Sequence, residues 1–449
     1  MRFFRWTAAA IAAAALAACG GGSDDDAPAR GALLNSLVLG QTTKAQIDAG
    51  TAASGAQALT GAARCDVTAR YVQYSTRAPG GEAVRASAGV LVPGGSAPGC
   101  TGERPVLLYA HGTAANKSKN MAQVSSDSEA TALLAFYAAQ GFIVVMPNYL
   151  GYDGSLDWHP FLNARSQATD MIDALRASKS ALASAGGTTA SAALLVSGYS
   201  EGGHVAMATH REIQENYASE FTVTASAPMS GPYNMVGTGD AVFVANTPLV
   251  GSLVFGPLLL TSYQRSYGNI YGAPSDAYQS PYDRTAPGIF PNVLPVADLM
   301  AAGQLPADPT LTLKLFGTGG LITDSFKAAY PTSNFRTALQ ENTLLGWTPT
   351  RPMAMCGGAQ DPTIYYSVNT TAAQADFASR GAQVPAFDLE NRATLPAGAT
   401  GDLLYGAFQQ QKAAAGANAT AQYHGTLVPP FCLALTRGFF GQVLAASAP

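Results

Sequence analysis

Residues 194–206 read LLVSGYSEGGHVA. An apolar run, Leu194-Leu195-Val196, passes through Ser197 to Gly198. Tyr199, Ser200 and Glu201 follow, then two more glycines and His204. The order fits a buried strand, a sharp corner and the start of a helix. A serine hydroxyl placed at such a corner is exposed at a strand end, and the glycines on either side relieve crowding around it. A helix opening at Glu201 also aims backbone N–H groups and its positive end toward the serine. The pattern Gly-x-Ser-x-Gly therefore makes Ser200 a candidate nucleophile, and the rest of the chain must supply its partners.

The flanking sequence carries the same rhythm. Val106 to Ala110 is a short continuous apolar run, as expected of a strand buried on both faces, and ends at His111-Gly112-Thr113. Residues 128–140 read as a helix stopped by Gly141, and Phe142 to Met146 as the next strand, ended by Pro147. Ser166 to Ala183 reads as a helix with Met171, Leu175 and Leu182 on one side. Ala192 to Val196 is the strand feeding Ser200, Glu201 to Tyr217 a helix, and Val223 to Pro228 another strand. Upstream, residues 66–76 and Ala88 to Val92 read as a hairpin around Pro79-Gly80-Gly81. Strands alternating with helices predict a mostly parallel, doubly wound α/β sheet, with ligands at the carboxyl ends of its strands.

Residues 231–350 break this alternation. Ala241 to Leu260 contains no charge and is long enough to span a membrane, but Asn246, Thr247, Pro248, Gly251 and Pro257 interrupt it. It reads better as part of a cap whose apolar helices cover a site. Met353-Ala354-Met355 resumes the sheet. The expected division is a core over 36–230, a cap or lid over 231–350, and the rest of the core over 351–449.

Composition bounds the function. Of 449 residues, 47% are apolar and only 12% charged, the latter about half the usual share. The net charge is −4, and no Lys/Arg run follows the first few residues, which argues against a nucleic-acid partner. Arg2 and Arg5 precede a short apolar stretch, Thr7 to Ala18, which reads as a signal peptide over residues 1–18. Leu16-Ala17-Ala18-Cys19 resembles the bacterial lipobox, making Cys19 the expected lipid-attachment residue. Gly20 after it suggests outer-membrane retention, with residues 19–35 as a flexible tether and an ordinary secreted protein as the alternative. Cys65, Cys100, Cys356 and Cys432 remain, and an exported chain with four cysteines suggests two disulfides with three possible connectivities. Cys65–Cys100, bracketing the hairpin, and Cys356–Cys432 are favoured. No C-x-x-C spacing supports a metal site.

A serine nucleophile needs a base, and the chain has five histidines: His111, His159, His204, His210 and His424. In the nucleophile-elbow arrangement the order is Ser, acid, His, and only His424 lies beyond the elbow and its helix. His204 and His210 read as packed or solvated helix residues. His159 could line the pocket, though a structural role fits it better. A loop position for His424 would let its ring reach Ser200. Asp361, just past the strand ending near Met355 and in a turn with Pro362, is the best orienting acid, ahead of Asp388 and Asp402. A Cys356–Cys432 bond would staple the acid and histidine segments together. Oxyanion donors are expected from the N–H of Glu201 and, in the earlier loop, of Thr113, with Gly112 and Ala114 as neighbouring alternatives. The Glu201 carboxylate should point away from the site or bind a nearby cation.

Together, Gly198 to Gly203, Tyr109 to Thr113, Pro147 to Tyr152, Asp361 and His424 resemble the α/β-hydrolases, and more narrowly the secretory lipase family, over roughly residues 60–440. The resemblance implies esterase or lipase activity without a cofactor and a cap inserted between the sixth strand and the acid. Members of this family often carry Asp where Asn148 stands, so no carboxylate role transfers to that position. The expectation is an exported, lipid-anchored serine ester hydrolase acting on small-molecule or lipid esters with hydrophobic acyl groups. Alternatives are a polyester depolymerase or aromatic-acid esterase, a serine peptidase on the same fold, and a catalytically silent surface-binding protein.

Overall fold

A computed structural model describes residues 27–185 and 187–447. The expected signal peptide and Cys19 lie outside these residues. Nine strands form one sheet in the order β1-β2-β3-β5-β4-β6-β7-β8-β9. They are β1 (Leu33–Thr42), β2 (Asp66–Arg77), β3 (Ala83–Gly94), β4 (Gly102–Ala110), β5 (Ile143–Pro147), β6 (Thr188–Tyr199), β7 (Val223–Met229), β8 (Met355–Gly357) and β9 (Ala386–Asp388). The first three strands and the β3–β5 pair are antiparallel; from β5 through β9 every pair is parallel.

The apolar runs follow from this placement. Along a strand, successive side chains point to opposite faces. Leu107, Val144 and Leu195 enter one core with Leu133 and Phe136 of α1 (Ser128–Phe136). Val106, Leu108, Ile143, Val145 and Val196 enter the other core. There they meet Met171, Leu175 and Leu182 of α2 (Ala164–Ala185) and Val205 and Ile213 of α3 (Glu201–Asn216). A strand covered on both faces has no position left for a polar residue, hence the unbroken runs.

The expected elements are present with shifted ends. The helix expected over 128–140 ends at Phe136; a 3-10 turn, Ala138–Gln140, finishes it, and Gly141 at φ 95° stops it. The tether expected to extend to residue 35 ends earlier, because Leu33 already pairs with Tyr74 at the sheet edge. Both favoured disulfides are present, Cys65–Cys100 and Cys356–Cys432.

Between β7 and β8 the chain leaves the sheet. It forms α4 (Met235–Phe243), α5 (Ser252–Tyr267) and several shorter helices. These elements bury a core of their own, including Leu253, Leu258, Tyr263 and Phe335, joined by Phe161 and Leu162 from the loop after β5. The uncharged stretch Ala241 to Leu260 thus serves packing within this insertion. The chain re-enters the sheet through a bridge between Met353 and Ser226 and through Cys356 opposite Met229.

The corner between β6 and α3 is packed backbone to backbone. A Cβ on Gly198 would lie 2.2 Å from the Gly202 carbonyl oxygen, and one on Gly202 would lie 2.0 Å from the Ala110 carbonyl oxygen. One on Gly203 would lie 2.3 Å from the Met229 carbonyl oxygen. By contrast, Gly438, inside α6 (Val428–Ala446), faces open space. Gly202→Ala is therefore expected to destabilise the protein by about 2 kcal/mol or more through overpacking. Gly438→Ala should stabilise it by roughly 0.5–1 kcal/mol through helix propensity. Urea unfolding of the two variants beside wild type checks both signs.

Beneath the sheet, α2 carries two buried carboxylates. Asp173 accepts from Thr76 and pairs with Arg30 and Arg176. Among the described residues, the one hydrogen bond to the Asp170 carboxyl comes from the Tyr74 hydroxyl, at 2.8 Å. Burial raises its carboxyl from an ordinary 3.8 to about 7; the Tyr74 hydrogen bond opposes the rise and the Asp173 charge adds to it. The folded chain then keeps a proton that the unfolded chain has already released. Stability from this group is fully present below the ordinary value and is lost as pH rises toward 7. Asp170→Asn removes that loss. The variant should match wild type near pH 4 and exceed it at pH 8 by roughly 1–3 kcal/mol, read from urea midpoints at the two pH values.

Candidate active site

Ser200 joins the end of β6 to α3 at φ 60°, ψ −121°. A non-glycine residue at positive φ is strained, and the packed glycines beside it leave the chain no other path. The Ser200 N–H donates to the Met229 carbonyl at 3.0 Å, pinning the corner to β7. The side chain is left at the carboxyl end of the sheet.

Asp361 sits four residues beyond β8. Its Oδ1 accepts from the N–H groups of Thr363 (2.9 Å) and Ile364 (3.0 Å), which fixes the carboxylate plane. Its Oδ2 lies 2.6 Å from His424 Nδ1. With Nδ1–H donating there, His424 Nε2 is the acceptor for the Ser200 hydroxyl at 2.7 Å. The three expected residues are thus joined in one line of hydrogen bonds.

His424 lies in a helical turn, not in the expected loop. Tyr423–Leu427 forms a single π turn that runs directly into α6. Pro429 and Pro430 are accommodated because the first turn of a helix needs no N–H donors there. Two contacts hold the turn against the acid and the serine. The Cys356–Cys432 bond ties α6 to β8, and the Tyr199 hydroxyl donates to the His424 carbonyl at 2.6 Å.

The other candidates fall elsewhere. Asp388 accepts from the N–H groups of Ala359 and Glu390, capping a turn, and Asp402 pairs with Arg392. His204 and His210 are buried on α3, against the Asn342 carbonyl and the Ser226 hydroxyl respectively. Burial pushes both rings down to about 4, so both are neutral packing groups. In the loop after β4, the Gly112 N–H is already committed to the Glu129 carboxylate (3.1 and 3.2 Å). This leaves Thr113 and Ala114 as the free choices among the expected donors. His111 Nδ1 lies 2.7 Å from the Gly112 carbonyl oxygen and so holds the same peptide unit that carries the Thr113 N–H.

Three features escaped the sequence reading. Glu129, in the first turn of α1, accepts from Gly112 and from the Tyr109 hydroxyl and pairs with Lys119. Asn148 uses its whole amide, accepting from Met121 N–H (2.6 Å) and donating to Ser87 (2.9 Å) and Asn120 (3.2 Å). His159, from the loop after β5, is buried against Glu201. None had a local signal, because each partner is far away in sequence.

A cavity of about 660 Å³ opens on Ser200 and His424. Glu129 and Thr113 lie on its core side; Phe136, Leu433, Val254, Phe255 and Leu311 give it apolar walls. Val254, Phe255 and Leu311 come from the insertion.

Comparison with known proteins bears on the family and the fold. A family model described as "Secretory lipase" matches residues 116–261. No curated protein matches the chain. Among solved structures, the rice cell wall degrading esterase LipA from Xanthomonas oryzae is 32% identical with a TM-score of 0.72, over 80% of this chain and 91% of that one. Its G231F mutant aligns over 94% of this chain and 100% of that one, with 29% identity and a TM-score of 0.77. Candida antarctica lipase A shares the fold, with a TM-score of 0.55 and 13% identity over 93% of this chain and 91% of that one. The two disulfides and this kinship mark an exported protein. The chain belongs to the secretory lipase family of α/β-hydrolases and is a carboxylic-ester hydrolase.

Proposed function

We propose that Ser200, His424 and Asp361 are the catalytic triad of a serine esterase working through an acyl-enzyme. Ser200 Oγ attacks the ester carbonyl carbon while His424 Nε2 takes its proton. Asp361 holds the ring in the tautomer that leaves Nε2 free and stabilises the imidazolium that results. The oxyanion forms against the N–H groups of Glu201 and Thr113. Collapse of the tetrahedral intermediate breaks the bond to the alkoxy oxygen, and His424 returns the proton to the departing alcohol. Water, deprotonated by His424, then releases the acid. The observation that carries this reading is the unbroken relay from Ser200 through His424 to Asp361, at 2.7 and 2.6 Å.

The insertion, residues 231–350, acts as the cap of this site. Its contribution of Val254, Phe255 and Leu311 to the cavity wall supports hydrophobic acyl esters as the preferred substrates. The 32% identity with a cell wall degrading esterase favours a second reading, in which the acyl group is carried on plant cell-wall material. The chemistry is the same and only the alcohol differs. Residues 1–18 are read as the signal peptide and Cys19 as the lipid-modified residue anchoring the enzyme to the outer membrane, through the tether that follows.

The test is hydrolysis of p-nitrophenyl esters from acetate to palmitate by protein lacking residues 1–26, beside Ser200→Ala. Wild type should turn over, best on a medium acyl chain. The variant should lose about 10⁴-fold or more in kcat while keeping its fold. Undiminished turnover by Ser200→Ala would remove Ser200 from the reaction.

A further inference from the structure

Glu201 presents a conflict that the triad does not resolve. Its backbone N–H stands beside the position where negative charge develops, yet the same residue carries a carboxylate. An uncompensated anion there would oppose the oxyanion through a dry, low-dielectric medium. The side chain is fully buried, 0% exposed. It turns to His159, also 0% exposed, with Oε1 lying 2.6 Å from His159 Nε2. Gln167 Nε2 donates to the same oxygen at 2.6 Å. Among the described residues Oε2 has no hydrogen-bond partner, so His159 and Gln167 make the hydrogen bonds to this carboxylate.

The second ring nitrogen fixes where His159 carries its first proton. Nδ1 lies 2.7 Å from the Leu150 carbonyl oxygen, which can only accept, so Nδ1 carries a proton. Nε2 faces a carboxylate, which also can only accept when ionised. With Glu201 ionised, both ring nitrogens are donors, and the pair is an imidazolium against a carboxylate. Burial works most strongly against the Glu201 charge, but His159, His111 and Gln167 together hold the carboxyl below its ordinary value.

The loop around His159 is built to keep the ring still. A Cβ on Gly151 would lie 2.7 Å from the His159 Cα. The ring stacks on Tyr149, at 5.7 Å and 12° between planes. Tyr149 in turn stacks on His111, at 4.1 Å and 28°. The other end of this stack is thus the ring that holds the Gly112–Thr113 peptide. One buried column, His111-Tyr149-His159, braces both segments that offer donors to the oxyanion.

We propose that His159 and Glu201 form a buried ion pair that acts as a positioning and charge-compensating device for the oxyanion site. His159 cancels the Glu201 carboxylate and draws it away from the site. The first turn of α3 then presents its N–H to the oxyanion without the field of its own side chain. The proposal rests on the triad reading above, because it assigns the Glu201 N–H as an oxyanion donor.

The test compares kcat, KM and thermal unfolding of wild type, H159Q, E201Q and H159Q/E201Q on p-nitrophenyl butyrate, with Ser200→Ala as control. H159Q leaves the carboxylate uncompensated and should lower kcat about ten- to hundredfold, with KM changed less than about threefold. Adding E201Q removes the stranded charge and should restore kcat to within about tenfold of wild type. A purely structural pair would instead lower the unfolding temperature and leave kcat of the folded fraction unchanged. Folded H159Q with kcat within twofold of wild type overturns the proposal, as does a double variant no faster than H159Q. If H159Q does not fold, the double variant decides by the same tenfold criterion. Failure of both to fold makes the pair a folding requirement and also overturns the proposal. Activity that survives Ser200→Ala removes the triad reading and this proposal with it. Triad-dependent activity indifferent to His159 removes this proposal alone.

Discussion

The carbonyl oxygen of Ala110 lies where a side chain on Gly202 would have to begin, 2.0 Å from its Cβ position. This close approach of β4, β6 and the first turn of α3 is the constraint on which the site depends. It forces Ser200 into a positive φ and pins its amide to β7. It also brings Gly112 and Thr113, just past the end of β4, beside Ser200. A larger residue at any of the three glycines would separate elements whose mutual distance creates the site.

The remaining machinery is held by contacts of long sequence range. The sheet delivers Asp361 just past β8, and the π turn leading into α6 delivers His424 from more than sixty residues later. The Cys356–Cys432 bond and the Tyr199 hydroxyl bring the two within reach of each other and of the elbow. The insertion contributes no group to the relay. It has its own apolar core and lends only walls to the cavity. Relay and cavity wall are thus carried by separately packed parts of the chain.

Much of this was legible in the sequence because the relevant signals are local. The runs at Val106, Ile143 and Leu194 are unbroken because both faces of those strands are covered. Gly198 and Gly202 frame Ser200 at a spacing that only a strand-to-helix corner requires. His424 could be reached because only one histidine follows the elbow helix. The disulfide partners followed from the order of four cysteines and the hairpin they bracket. What escaped depends on tertiary contact. β1 pairs at an exposed edge, and its Leu37 and Val38 remain in solvent, so no apolar alternation marks it. β9 is three residues long, too short to leave a pattern, whereas the apolar Met353-Ala354-Met355 marked the entry to β8. The helical setting of His424 was hidden by Pro429 and Pro430, which read as helix breakers but sit in the first turn of α6. The match of His159 to Glu201 spans 42 residues and has no local sign at all.

The proposed mechanism rests on Ser200 as the one nucleophile, and the most direct measurement is to find where a serine-directed reagent attaches. Native protein treated with a fluorophosphonate, digested and mapped by mass spectrometry should carry one adduct, on Ser200. Labelling should disappear on unfolding and in His424→Ala, because the hydroxyl then has no base. An adduct on another residue, or no adduct on folded and ester-hydrolysing protein, would contradict the assignment of Ser200, His424 and Asp361 as the triad.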